Sequence, residues 1–351
     1  MNNLPPLPSS GRGDDGLRNY IVEEFIEDLQ DGRITRRQAL KQIAFILGSV
    51  TLANSVLAAC APLVQPAPVA TAAPTSAPAA TGAVTATAAA IATAAATATL
   101  TTTATQSVQP PANDVTVGAD DPTIDAIGMV KFASGADMIS AYAAKPKGSG
   151  AYPIVLVCHE NRGLTEHIKD VTRRVAKAGY FGVGVDLLSR QGGTDQVGAN
   201  APGVLGTLST QQFVDDFRAA LSWAVVQPNA RKGKAGMVGF CFGGGVVWAC
   251  VTQIAELGAG VPFYGANPPI EDVAKIQAAV LGIYGELDTR IDAGIPAIEA
   301  AMKQNNKTFE KIIYPNANHA FNNDTGSSYN ATAAKDAWAK TLAWFGKYLN
   351  N

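Results

Sequence analysis

The hydrophobic positions of this chain follow two different patterns, which meet near residue 114. After that point, short apolar runs alternate with longer segments whose apolar residues recur every three or four positions. The short runs predict buried strands, and the longer segments predict helices with one apolar face. We predict strands over Ile127–Ala133, Met138–Ala144, Pro153–Cys158, Tyr180–Val185, Ala235–Val238, Gly260–Tyr264, Val280–Tyr284 and Phe309–Tyr314. We predict helices over His167–Lys177, Gln211–Val226, Gly244–Leu257, Ile295–Lys303 and Ala331–Leu349.

The order of these elements indicates the fold class. The first two strands form an opening pair joined by a turn at Ser134–Asp137, and the later strands alternate with helices. Such alternation predicts an α/β fold with a mostly parallel central sheet covered by helices on both faces. A glycine-rich loop is expected over Leu187–Leu208. In sheets of this kind, ligands bind beyond the carboxyl ends of the strands.

The N-terminal third lacks this alternation. No charged residue occurs between Lys41 and Asp114, and an apolar run, Ile43–Ala59, opens that stretch. The run is short for a membrane span and has the length of a signal-peptide core. Ala61–Asn113 is rich in Ala, Thr and Pro and has no helical or strand period, so we expect a flexible tether. A helix is the alternative there, because Ala is a good helix former.

These boundaries predict four parts. They are a leader (residues 1–41), a signal region (42–60), a linker (61–113) and one α/β domain (114–351) of ordinary mixed composition. The formal net charge is −2, without a basic stripe in the domain, which argues against nucleic-acid binding. The 4 cysteines are too few for a disulfide framework in a domain of this size.

Two short motifs flank the apolar run of the signal region. The stretch from Thr35 to Lys41, with Arg36-Arg37 at its centre, resembles the twin-arginine export motif. Leu57-Ala58-Ala59-Cys60 resembles a bacterial lipobox, whose cysteine is lipidated and becomes the new N-terminus. We therefore predict an exported bacterial lipoprotein, anchored through Cys60 on the outer side of the cytoplasmic membrane. The alternative is a lone buried cysteine in a membrane helix.

The candidate nucleophile lies in Gly239-Phe240-Cys241-Phe242-Gly243. An apolar strand precedes this motif and an apolar helix follows it, as in a nucleophile elbow that carries cysteine. The flanking glycines would let strand and helix pass each other closely. The start of the helix favours negative charge on the sulfur. We expect Cys158 and Cys250, on apolar elements, to be inert core residues.

An acid and a histidine follow in the expected order. Asp288 comes after the strand Val280–Tyr284, with Glu286 as its nearest rival, and His319 comes after the last strand. The chain order nucleophile, acid, histidine is that of α/β-hydrolases. Asp288 would orient the imidazole, and His319 would take and return the proton.

The remaining histidines do not suggest a metal or a cofactor. His167 lies early on a helix and is expected to be solvated. His159-Glu160 lacks the spacing of a zinc-protease helix, and no other His/Cys cluster has metal-ligand spacing. We therefore expect neither a metal nor a cofactor.

Several of these motifs together resemble the dienelactone hydrolase family (carboxymethylenebutenolidases). They are Gly239–Gly244, His159-Glu160-Asn161-Arg162-Gly163, Asp186-Leu187-Leu188-Ser189-Arg190 and the loops of Asp288 and His319. The resemblance extends over about Ile127 to Leu349, nearly the whole domain. It implies a hydrolase that opens lactones or cleaves esters, with Cys241 as nucleophile and a thioester intermediate.

The resemblance also assigns roles around the nucleophile. It implies that Glu160 contacts the resting thiol and later takes up its proton, and that the N–H groups of Asn161 and Phe242 hold the oxyanion. Arg190 matches an arginine that binds the substrate carboxylate. The family's second such arginine is replaced by Asn323, which halves the anion clamp.

Two other functions stay open on the sequence. One is a broad carboxylesterase or acyl hydrolase on the same scaffold, with the Gly-rich segment Gln191–Leu208 shaping the pocket. The other is a non-catalytic binding lipoprotein. A small-molecule lactone or ester and, through Cys60, the membrane are the expected partners. Neither the natural substrate nor the oligomeric state follows from the sequence.

Overall fold

One eight-stranded sheet forms the centre of the protein, in a computed structural model that describes residues 16–30, 32–59 and 116–349. The predicted linker and Cys60 lie outside these residues. The sheet order is β1-β2-β4-β3-β5-β6-β7-β8. Its strands are β1 Ile124–Ser134, β2 Asp137–Pro146, β3 Ile154–Cys158, β4 Phe181–Val185, β5 Ala235–Phe240, β6 Leu257–Phe263, β7 Ala279–Gly285 and β8 Phe309–Tyr314.

The sheet is antiparallel at one edge and parallel elsewhere. β1 pairs antiparallel with β2, and β2 pairs antiparallel with β4, whereas every pairing from β4 to β8 is parallel. The central strands β3 and β5 are buried along their whole length, as strands covered on both faces must be. The predicted opening pair and mostly parallel sheet are confirmed.

Helices cover both faces of the sheet. On β4, Phe181 packs against Trp223 of helix α7 (Thr210–Ala224), with ring centroids 6.2 Å apart, whereas the next residue, Gly182, faces Thr172 of helix α4 (Glu166–Lys177). Successive residues of a strand point to opposite faces, so α7 and α4 lie on opposite sides of the sheet. The helices after β2 are α4 Glu166–Lys177, α5 Thr194–Val197, α6 Ala201–Leu205, α7 Thr210–Ala224, α8 Phe242–Val251, α9 Thr289–Asp292, α10 Ile295–Gln304 and α11 Ala331–Leu349.

Two predicted elements differ from the structure. The helix expected over Gly244–Leu257 ends at Val251, because Leu257 pairs with Ala235 as the first residue of β6. The segment Leu187–Leu208, expected to be a loop, contains α5 and α6. Helix α6 has proline in its first turn and buries Ala201 and Leu205, so packing stabilises a short helix in a glycine-rich segment.

Three helices precede the linker: α1 Gly16–Gln30, α2 Arg36–Leu47 and α3 Val50–Ala59. The predicted apolar run is therefore divided between α2 and α3, because Gly48 adopts a left-handed conformation that ends α2. Ile46 of α2 is buried and packs close to Gly206, beside α6. None of the helices in the described ranges is long and apolar enough to span a membrane.

Candidate active site

Cys241 lies at the turn between β5 and α8 in a strained backbone conformation. Its φ of 57° and ψ of −123° are rarely adopted by residues with a side chain. Strand and helix approach so closely that a Cβ at Gly239 would lie 2.3 Å from the carbonyl oxygen of Gly243. A Cβ at Gly243 would lie 2.4 Å from the carbonyl oxygen of His159. This turn holds the thiol at the carboxyl end of the sheet, at the start of α8.

His319 and Asp288 meet at the same end of the sheet, beyond β8 and β7. Nδ1 of His319 lies 2.6 Å from Oδ2 of Asp288, whose side chain is buried. If Nδ1 donates to this carboxylate, Nε2 is left facing the thiol as the acceptor. Burial alone would lower the pKa of His319, but the negative charge that Cys241 carries as a thiolate and the hydrogen bond to Asp288 outweigh burial and raise that pKa well above its usual value.

The Cys241 thiol is protonated more firmly than an exposed cysteine. Burial raises its pKa, and the nearby carboxylate of Glu24 raises it further, whereas His319 opposes both effects. The side chain is 5% exposed, so little solvent reaches the sulfur. The protonated thiol is a poor nucleophile, and removal of the Glu24 carboxylate would favour the reactive thiolate.

Glu160 lies close to the site but does not bond to the thiol. Its Oε2 accepts a hydrogen bond of 2.7 Å from Nδ2 of Asn323, and burial raises its pKa. Its Oε1 is buried without a hydrogen-bond partner among the described residues. Instead of Glu160, Glu24 accepts the hydrogen bond from Sγ of Cys241, at 3.7 Å. The contact with the resting thiol that was expected for Glu160 is thus made in this structure by Glu24 of α1.

The two amides expected to form an oxyanion hole flank the nucleophile. Phe242 is the first residue of α8, so its N–H has no partner within the helix. Asn161 follows β3 in the loop next to the elbow, and no backbone partner is recorded for either N–H among the described residues. The side chain of Asn161 donates to Oε2 of Glu24 at 2.8 Å.

Arg190 is held by carboxylates of the domain itself. Its guanidinium makes two hydrogen bonds, of 2.6 and 2.8 Å, to the fully buried Asp216 and one to Asp137. These partners raise its pKa further. The structure does not bring Arg190 into contact with Cys241 or His319 among the described contacts. Its predicted part in substrate binding therefore gains no support from its contacts and stays a prediction.

The other histidines and cysteines among the described residues are buried. His159 is buried, with Nδ1 2.6 Å from the carbonyl oxygen of Glu160 and Nε2 accepting from the N–H of Leu187. The expectation that His167 is solvated is wrong: it is buried and its Nδ1 lies 3.0 Å from Asp324. Asp324 is distant in sequence, so the local pattern gave no sign of this pair. Cys158 and Cys250 are buried, as expected.

Helix α1 covers the nucleophile. The hydroxyl of Tyr20 donates to Sγ of Cys241 at 3.3 Å and lies 3.4 Å from Nε2 of His319. One turn further along, Oε1 of Glu24 lies 3.6 Å from the same Nε2. The sequence has an amphipathic pattern over Tyr20–Leu29, but this pattern does not assign the segment to the site. The spacing of Tyr20, Glu24 and Glu27 places them on one face, and this was the only local signal.

Arg290 attaches α1 to the domain. It lies two residues after Asp288, and its side chain is 18% exposed. Its Nη2 donates to Glu24 at 2.7 Å, and its Nε donates to Glu27 at 3.0 Å. The guanidinium also lies 4.7 Å from the centre of the Tyr20 ring. Every hydrogen bond and ion pair recorded for Arg290 among the described residues is made with α1.

Three side chains at the site have the chemistry of metal ligands. The ligand atoms of Glu24, Cys241 and His319 all lie within 4.8 Å of one another. In this structure they are engaged by the hydroxyl of Tyr20 and, through Glu24, by the guanidinium of Arg290, a cation that would repel a second one. The expectation of no metal and no cofactor stays a prediction.

Comparisons with known proteins identify one family. Residues 139–349 match the model of the dienelactone hydrolase family. A protein of Methylorubrum extorquens named "Putative carboxymethylenebutenolidase" is 34% identical over 256 residues, which cover 69% of this chain and 88% of that protein.

Two solved structures are also similar. A crystal structure titled as a putative dienelactone hydrolase from Klebsiella pneumoniae has a TM-score of 0.60 and 32% identity, covering 64% of this chain and 99% of that one. A dienelactone hydrolase-like promiscuous phosphotriesterase from metagenomic libraries has a TM-score of 0.58 and 25% identity, with coverage of 64% and 99%.

The fold and the site thus define a hydrolase of the α/β-hydrolase fold. Within that class, the chain belongs to the dienelactone hydrolase family.

Proposed function

We propose that the protein opens lactones or cleaves esters by nucleophilic catalysis at Cys241. The observation that carries this proposal is the contact between Cys241, His319 and Asp288 at a strained strand-to-helix turn. His319 takes the proton of the Cys241 thiol, the resulting thiolate attacks the carbonyl carbon, and the N–H groups of Phe242 and Asn161 receive the oxyanion. The C–O bond to the leaving group breaks, His319 supplies its proton where needed, and a thioester forms.

Deacylation completes the cycle. His319 accepts a proton from water, which attacks the thioester, and Cys241 leaves as thiolate before it is reprotonated. Asp288 keeps the imidazole in the required tautomer and stabilises its charged form. Leaving groups of low pKa, such as enols and phenols, suit the first step, because a thiolate expels poor leaving groups reluctantly.

Comparison of the wild-type chain with Cys241→Ala, using 4-nitrophenyl acetate and a dienelactone as substrates, tests this proposal. Turnover is expected to disappear in the variant, with a thermal midpoint close to that of the wild type. Cys250→Ala is the matched control, because Cys250 is buried in α8 and is expected to leave turnover intact. Turnover that survives in Cys241→Ala would refute the mechanism.

We also propose that the chain is exported and anchored through Cys60. Arg36 and Arg37 are exposed at the start of α2, and Phe45, Val50 and Leu52 expose apolar surface on α2 and α3. These features suit recognition by an export machinery and a membrane. Metabolic labelling with a radioactive fatty acid tests the proposal: the chain should be labelled and Cys60→Ala should not. Equal labelling of both chains would exclude Cys60 as the acceptor.

A further inference from the structure

The space in front of Cys241 Sγ is filled by α1. A carbonyl carbon must come to about 3–3.5 Å from the sulfur before attack. The hydroxyl oxygen of Tyr20 lies 3.3 Å from Sγ and 3.4 Å from Nε2 of His319, so it lies between nucleophile and base. Oε2 of Glu24 lies 3.7 Å from Sγ on the same approach. A substrate carbonyl and these two oxygen atoms cannot occupy this space together.

Helix α1 is attached to the domain by close packing and by ion pairs. Tyr20 is 2% exposed and Leu17 is 7% exposed, which is unusual for a helix in a leader segment. A Cβ at Gly245 of α8 would lie 2.6 Å from Cδ2 of Leu17, so helix and domain are closely packed there. At the other end of the contact, Arg290 pairs with Glu24 and Glu27. Apolar packing and charge pairing therefore both hold α1 over the site.

The same helix also suppresses the chemistry of the thiol. Glu24 lies where the thiolate charge would develop, and a negative charge there disfavours ionisation. Its second oxygen is bound by Arg290, which fixes the carboxylate in this position. Closure by α1 thus excludes the substrate and keeps the sulfur protonated.

We propose that α1 is an intramolecular inhibitor, which closes the active site with Tyr20 and Glu24 and is held there by Arg290, so that the hydrolase works only when α1 leaves. The substrate and α1 compete for one place. The apparent activity of the intact chain therefore reports the fraction of molecules in which α1 is undocked. This inference uses Cys241 as the proposed nucleophile, but the closure can be measured without any turnover.

The first test opens the site in the full chain with Leu17→Asp together with Glu27→Lys. Neither residue touches the thiol or the imidazole among the recorded contacts; one substitution breaks the apolar packing and the other repels Arg290. The rate of Cys241 alkylation by iodoacetamide, followed by mass spectrometry of the peptide that carries it, should rise about tenfold or more. Turnover of 4-nitrophenyl acetate should rise with it.

Asp28→Lys is the matched control. It makes the same change of charge at the next residue of α1, which pairs with Arg33 instead of Arg290, and both rates should stay near wild type. Equal alkylation and turnover in the wild type and in the folded double variant would overturn the proposal. Faster alkylation without turnover would support the closure and count against the esterase mechanism.

A second measurement uses the protein without any substitution. Arg33 is exposed between α1 and α2, and Arg36 and Arg37 are exposed at the start of α2, so limited trypsin treatment of the wild-type chain can separate α1 from the rest. Cleavage there, followed by mass spectrometry and gel filtration, should increase alkylation of Cys241. A synthetic peptide of residues 16–30 should then slow it again, and the same peptide with Tyr20→Ala should not. Unchanged alkylation after release of α1 would refute the proposal even if the double variant failed to fold.

Discussion

Oε2 of Glu24 accepts a hydrogen bond from Sγ of Cys241 at 3.7 Å, although the two residues are 217 positions apart in the sequence. The carboxylate raises the pKa of the thiol, after the larger effect of burial. Glu24 of α1 therefore contributes to the raised pKa of the candidate nucleophile, and this relationship can be measured directly.

Glu24→Gln should lower the pKa of the Cys241 thiol. Removing a negative charge makes the thiolate less costly, so the midpoint of the pH profile for alkylation should move to lower pH. The midpoint is the informative quantity, because a loosened α1 would change the rate at every pH. Asp28→Asn removes the same charge from a residue of α1 that pairs with Arg33 instead of Arg290, and its midpoint should stay in place. Equal midpoints in Glu24→Gln and wild type would contradict the assignment.

Asp288→Asn should impair catalysis through His319. The carboxylate is 2.6 Å from Nδ1, and its loss should lower the pKa of the imidazole and release its tautomer. We expect a fall in kcat of about 10³–10⁴-fold in the variant with α1 released. Asp292→Asn is the control, since Asp292 lies on α9 close to Asp288 without a recorded bond to His319. A loss of less than about tenfold would remove Asp288 from its proposed role.

Arg190→Ala tests whether this arginine is structural. Asp216 is fully buried, so the substitution leaves a buried carboxylate without its main partner. The expected loss of stability is about 3 kcal/mol, or a fall in Tm of roughly 6–12 °C. Arg190→Met combined with Asp216→Leu should recover most of that loss, because it removes both charges. An unchanged Tm with a raised KM for a carboxylated ester would instead support the substrate-binding role.

Glu160→Gln should change how stability depends on pH. Burial raises the pKa of Glu160 in the folded chain above its unfolded value, so folding favours the protonated form. Its contribution is fully present below the unfolded pKa of about 4.3 and is lost as pH rises through the higher folded pKa. The glutamine variant lacks this loss and should have the higher Tm at neutral pH. Parallel Tm curves from acidic to neutral pH would contradict this argument.

Much of the fold follows from local pattern. The closing helix has the predicted bounds, Ala331–Leu349, because its apolar face is continuous and polar residues flank it. The central strands were found for a similar reason, since they are short and wholly apolar. The end of α8 was not found, because its position depends on the pairing of Leu257 with a distant strand.

Part of the candidate site also follows from local pattern, and part depends on distant contacts. Glycine spacing and chain order were enough to select Cys241, Asp288 and His319, which the structure brings together. The partners of His167 and Glu160 were not predictable, because Asp324 and Asn323 come from a distant loop. The position of α1 over the active site could not be predicted from the sequence either, for a physical reason. An amphipathic pattern shows that a helix has a face to bury, but not which surface it covers.

The order of the parts along the chain has one more consequence. Tyr20 and Glu24 precede Cys60, whereas Cys241, Asp288 and His319 all follow it. A single peptide-bond cleavage just ahead of Cys60 would therefore separate the blocking helix from the enzyme and leave both intact. If the proposed anchoring at Cys60 includes this cleavage, the chain would behave as a zymogen, inactive towards esters where it is made and switched on irreversibly once α1 is cut off.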